Sequence, residues 1–134
     1  MATRTSPISA IRSKLPSRLN RFSAGAIAST VGDLAKWNAL LDRDDILSAA
    51  TKDAMWTAAK LNNGKATKYG FGWFLDSVEG HKNIGHGGST SGFSASIQRF
   101  PDDKVAVIIL TNTDEQIATT LAKKIAAFYF AKPN

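Results

Sequence analysis

Between Thr30 and Leu41 the apolar residues Leu34, Trp37, Leu40 and Leu41 recur at helical spacing, three and four apart. Thr30-Val-Gly-Asp33 ahead of them is a capping box, a hydroxyl and a carboxylate three residues apart that can satisfy free amides at a helix start. Ser48 is placed to cap a second helix running through Met55 and Trp56, and Leu61–Lys68, with Asn62-Asn63-Gly64, is a loop. From Tyr69 the period changes to two. Tyr69, Phe71 and Trp73 alternate with Gly70 and Gly72, which predicts a strand with one face closely approached. Glu79-Gly80 is a turn from which Lys82–Gly88 returns as a strand. Gly92–Phe100 and Lys104–Thr111 then form a hairpin around Pro101-Asp102-Asp103. Thr113 is expected to cap a last helix, with Asp114 and Glu115 in its first turn and Lys123 and Lys124 further on, as the dipole favours. Its apolar stripe is Ile117, Leu121, Ile125 and Phe128, and Pro133 lies beyond its end. The order helix, helix, four antiparallel strands, helix predicts an α+β fold with helices packed on one sheet.

The segment Val105-Ala-Val-Ile-Ile-Leu110 is apolar on both faces, the pattern of a strand covered on two sides and interior to a sheet. It is nevertheless the last strand, and only the preceding one is an evident neighbour. Its other edge wants a partner, because neither proline nor charge blunts it between Lys104 and Asp114. A homo-oligomer paired through the Val105–Leu110 edge is therefore expected, with fold-back of Pro7–Ile11 as the competing solution.

Charge divides the chain. Of the net +6, residues 1–22 contribute Arg4, Arg12, Lys14, Arg18 and Arg21 with no acid, while the rest holds 12 basic and 11 acidic side chains. Residues 1–22 thus read as a basic arm that is solvated and mobile, and residues 23–134 as one nearly neutral domain. Such an arm could bind anionic lipid or nucleic acid, or act as a transit segment. No apolar region follows it as a secretory signal requires. No apolar run reaches the roughly 18 residues of a membrane helix. With no cysteine, thiol nucleophiles, disulfides and cysteine-based metal sites are excluded, and the compartment stays open.

The densest chemical feature is Gly85-His-Gly-Gly-Ser-Thr-Ser-Gly92. A phosphate cradle would need a following lysine and a helix start, and neither is there. His81 and His86, with Asp76 and Glu79 nearby, match no familiar zinc spacing, so no metal and no cofactor is expected. Taken alone, the octet is also consistent with a glycine-rich turn holding an incidental histidine.

Read in order, Ala24–Trp37, Tyr69-Gly-Phe-Gly-Trp73, Gly85-His-Gly-Gly88, Ser91-Gly-Phe93, Arg99-Phe-Pro-Asp102 and Val107-Ile-Ile-Leu-Thr-Asn112 resemble the serine β-lactamase-related family. That family includes class C β-lactamases, D-alanyl-D-alanine carboxypeptidases and related esterases, and the likeness runs from about Ser23 to Phe128. The resemblance implies the C-terminal part of a β-lactamase/transpeptidase-like fold and an acyl substrate. His86 would stand for the basic residue of a Lys/His-x-Gly strand motif and take part in catalysis. Gly87 and Gly88 would line the substrate, Gly88 leaving the strand bare for it. The amide of Ser89 would be one oxyanion-hole donor, a contribution of about 3 kcal/mol to transition-state stabilisation. Glycine at 87, where many β-lactamases have a hydroxyl, and histidine at 86 instead of lysine lean toward an esterase or peptidase-like member.

The family's nucleophile motif, Ser-x-x-Lys, and its Tyr-x-Asn motif are absent from these residues. Thr57-Ala-Ala-Lys60 and Thr120-Leu-Ala-Lys123 have the spacing without the serine. The resemblance therefore implies a truncated domain, inactive alone, whose final strand would pair in the family with a strand from the N-terminal region. The alternatives are a non-catalytic, self-associating fragment and an anion-binding protein working through the basic arm.

Overall fold

The computed structural model describes residues 25–131. Helix α1, Val31–Leu41, starts where the capping box predicts: Thr30 is extended and its Oγ1 accepts from the Asp33 amide at 3.1 Å. Helix α2, Ala49–Met55, is capped in the same way by Ser48, whose Oγ accepts from the Thr51 amide. Strands β1 (Phe74–Val78), β2 (His81–Thr90), β3 (Phe93–Phe100) and β4 (Val105–Thr111) form one antiparallel sheet in the order β1-β2-β3-β4. Helix α3 is Ala118–Phe130. The α+β arrangement is thus observed, with helices on both faces of the sheet. Among the described residues no helix is long and apolar enough to cross a membrane.

The connections follow from local chemistry. Glu79 and Gly80 both take positive φ, the conformation that closes a two-residue hairpin between the paired residues Val78 and His81. A short 3₁₀ turn, Pro101–Asp103, with Lys104 left-handed, joins β3 to β4.

One sheet face carries Leu75, Ile84 and Ile97, which pack with Leu41, Leu47, Met55, Trp56 and Trp73 from the α1–α2 side. Trp37 of α1 stacks on Trp73 with ring centroids 5.7 Å apart. On the same face Arg99 is buried: its Nε donates to Asn38 Oδ1 at 2.6 Å and its Nη2 to Asp42 Oδ1 at 2.5 Å. The other face presents Ser94, Ser96, Gln98 and Phe100, all buried beneath α3.

Three expectations need correction. Tyr69–Trp73 is not a strand. Gly72, at φ 78, breaks the extended run, and Gly70 donates to the Trp73 carbonyl while the Phe71 amide bonds to Met55 O at 2.9 Å. The segment is a tight turn docked on the end of α2, and β1 begins only at Phe74. The close approach itself is real, since a Cβ on Gly70 would collide with the Met55 carbonyl oxygen.

Thr113 does not cap α3. Its Oγ1 accepts from the Glu115 amide, Asp114 accepts from the Gly92 amide at 2.5 Å, and the helix starts at Ala118 with no side-chain cap. Asp114 fastens two turns together instead of facing the helix dipole.

The stripe Ile117, Leu121, Ile125 and Phe128 is exposed, and the fully buried positions of α3 are Ala118, Ala122 and Ala126. Gly87 and Ser96 on the sheet beneath leave room only for a close-lying helix, and small residues permit that approach.

Strand β4 lies at the sheet edge, paired among the described strands with β3 alone. Val105 to Ile109 are half-buried, with α1 and α3 packed against the strand. The basic arm and the Pro7–Ile11 fold-back lie outside the described residues.

Candidate active site

The site residues sit on the middle and far end of β2. Alternation along the strand places His86 and Gly88 on the face of Ile84, opposite Ile97 and Ala95 of β3, and places Gly87 and Ser89 on the α3 face. His86 is half-buried, and its Nε2 lies 3.0 Å from the Tyr69 hydroxyl. Its ring also meets Phe74 at 5.4 Å between centroids, and Tyr69 packs edge-on against Phe74 at 4.7 Å. Gly88 is exposed, and a Cβ built there would meet nothing within 4 Å. A histidine thus stands beside a bare stretch of strand backbone.

Gly87 answers to a different constraint. A Cβ there would run into Thr119 Oγ1 of α3 and lie 3.2 Å from the Ala95 carbonyl oxygen. Any hydroxyl-bearing side chain at 87 would face the helix and not the open face. A role for Gly87 beside a substrate on the open face would thus fall to its backbone. Likewise the Ser89 side chain is occupied, its Oγ donating to Ser94 Oγ at 3.3 Å.

The two histidines do not converge. Five residues apart on one strand, they emerge from opposite faces. His81 Nδ1 lies 2.8 Å from Asp103 Oδ1, and its ring stacks on Phe130 at 3.8 Å. The two Thr-x-x-Lys look-alikes are also engaged in the fold. Thr57 Oγ1 donates to Asp53 O, and Lys123 pairs with Asp76 at 2.7 Å, holding that carboxyl below its ordinary range through the lysine hydrogen bond and then the Ser77 amide.

Tyr69 is the residue that reasoning from sequence missed. It lies 17 positions before His86 and belongs to a predicted strand that does not form. The signal in the sequence is the Tyr-Gly-Phe-Gly-Trp motif itself, whose first residue carries a hydroxyl as well as the period of two.

A model of the family described as Beta-lactamase matches residues 2–130 of this sequence. The chain belongs to the β-lactamase family. The matched stretch takes in most of the basic N-terminal residues as well, beyond the Ser23–Phe128 span of the motif resemblance. Penicillin-binding protein 4* of Bacillus subtilis (strain 168) is 35% identical over 92 residues, which are 68% of this chain and 20% of that protein. The chain thus spans about a fifth of the length of the curated relative it matches. An octameric penicillin-binding protein homologue from Pyrococcus abyssi superposes with a TM-score of 0.66 at 28% identity, covering 78% of this chain and 25% of that one. The solved homologue places the four-stranded sheet and its helices within a serine β-lactamase/penicillin-binding-protein-like fold.

Proposed function

We propose that this stretch is the strand-bearing part of a serine-hydrolase active site that hydrolyses or transfers an acyl group from an ester, amide or β-lactam. The observation that carries the reading is His86 beside the bare backbone at Gly88, on an open sheet face of a β-lactamase-family chain. In this reading the substrate lies along Gly88, the Ser89 amide donates to the oxyanion, and His86 joins the proton network of the nucleophile. The nucleophile comes from a Ser-x-x-Lys segment outside these 134 residues, and His86 in place of lysine favours an esterase or peptidase-like member. The test is covalent labelling. These residues alone should take up neither a fluorophosphonate nor a penicillin probe, and a protein completed with the serine-bearing half should label and turn over a p-nitrophenyl ester. Labelling of any residue of this chain alone, or an inert completed protein, would overturn the proposal.

A second reading is favoured by the outer edge of β4 and the exposed stripe of α3: these residues by themselves self-associate, pairing β4 strands about a twofold axis. Sedimentation at micromolar concentration should then show a dimer; a monomer would leave this reading without support.

A further inference from the structure

We infer that Tyr69 is a positioning residue that sets which nitrogen of His86 carries its proton, so that the imidazole offers an Nδ1–H donor to the reacting groups. The inference rests on the hydrolase reading above and adds a residue and a proton location to it. The phenol hydroxyl lies 3.0 Å from His86 Nε2. A phenol donates readily, and a neutral imidazole has one accepting nitrogen, so a Tyr69 O–H donated to Nε2 leaves the proton on Nδ1. Among the described residues Nδ1 has no hydrogen-bond partner, so that donor is free.

The tyrosine is itself held with little freedom. Its amide donates to Thr67 Oγ1 at 3.1 Å, and its carbonyl accepts from the Thr67 hydroxyl and from the Ala59 amide, both at 2.9 Å. Next to it Gly70 is pressed against the Met55 carbonyl, where no side chain fits. Phe74 closes the cluster, lying within 5.4 Å of both rings by centroid. The turn after α2 therefore carries the hydroxyl as a fixed group, and the rotation of the His86 ring follows it. A mobile tyrosine could not impose a tautomer, because ring and hydroxyl would exchange partners freely.

The experiment reads protons directly. Nitrogen-15 spectra of the two histidine rings are recorded on the full chain in mildly alkaline buffer, with Tyr69→Phe beside the parent. His86 should be the Nδ1–H tautomer in the parent and shift to mainly Nε2–H in Tyr69→Phe, with the amide spectrum otherwise unchanged. His81, tied through Nδ1 to Asp103, is the internal reference and should not move. An Nε2–H His86 in the parent, or no change in Tyr69→Phe, overturns the inference whatever the chain hydrolyses. In the protein completed with the serine-bearing half, Tyr69→Phe should lower kcat roughly 10- to 100-fold with little change in KM, the loss typical when the outer partner of a functional imidazole is removed. A completed parent without turnover would refute the hydrolase reading alone. An active parent matched by Tyr69→Phe would refute the role of Tyr69 alone.

Discussion

Removing Asp42 should damage this fold more than removing the arginine it pairs with. Arg99 is 1% exposed, and its guanidinium lies 5.0 Å above the Trp56 ring between β3 and α1. Burial pushes its pKa down from the usual arginine value, and the charge of Asp42 opposes that shift. Among the described residues its Nη1 has no hydrogen-bond partner, so the hydrogen bonds to Asp42 and Asn38 are its compensation for lost water. In Asp42→Ala the buried cation keeps its desolvation penalty and loses its counter-charge, a change that costs about 3–5 kcal/mol for a fully buried pair. The Asp42 side chain is 53% exposed, so water and screening recover part of this, and about 2 kcal/mol is the expected loss. Arg99→Met removes the charge together with its penalty, keeps most of the volume, and leaves Asp42 free to turn to water. Its cost should stay under about 1 kcal/mol. Urea unfolding followed by tryptophan fluorescence measures both. At roughly 1–3 kcal/mol per molar urea, Asp42→Ala should lower the midpoint by about 1 M, and adding Arg99→Met to it should restore most of the loss. Equal losses in the two single variants, or no rescue in the double, would refute the claim that the arginine depends on Asp42.

Three further outcomes are expected. Asp76 has a folded pKa held below its ordinary 3.8, chiefly by Lys123, so its contribution is present above that value and lost as pH falls through the lower folded value. Because the pair is one-third exposed, Asp76→Asn should remove less than about 1 kcal/mol at neutral pH and nothing once pH has fallen through the lower folded value, as read from acid titration of the unfolding midpoint. Gly87→Ala should destabilise by about 1–3 kcal/mol through overpacking against Thr119, and Thr119→Ala in the same chain should recover most of it in a thermal melt. In a completed hydrolase His86→Ala should cut turnover roughly 100-fold or more while shifting stability by no more than about 1 kcal/mol, and unchanged turnover would reduce His86 to a packing role.

Much of this molecule was legible in the chain because it is decided locally. A cap needs only a hydroxyl three residues from an amide, so Thr30 and Ser48 marked the starts of α1 and α2. The turns at Glu79-Gly80 and Pro101–Asp103, and the order of the motifs that carry the family likeness, are also written within a few residues of each other. The two-faced apolar pattern of Val105–Leu110 marks a strand that wants a second neighbour, and among the described strands β4 pairs with β3 alone.

What failed was decided by surfaces meeting at a distance. Period two from Tyr69 to Trp73 is compatible with a strand, but the carbonyl of Met55 and the left-handed Gly72 turn the segment into a docked loop. Both the alanine stripe and the large-residue stripe of α3 are apolar, and only the depth of the sheet beneath chose the alanines. Arg99 reads in sequence as a surface charge, and it is buried because Asn38 and Asp42 arrive from α1, 61 and 57 residues away along the chain. The meeting of Tyr69 with His86 has the same origin. Pairing of β1 with β2 brings the turn after α2 alongside His86, and no spacing along the chain encodes that proximity.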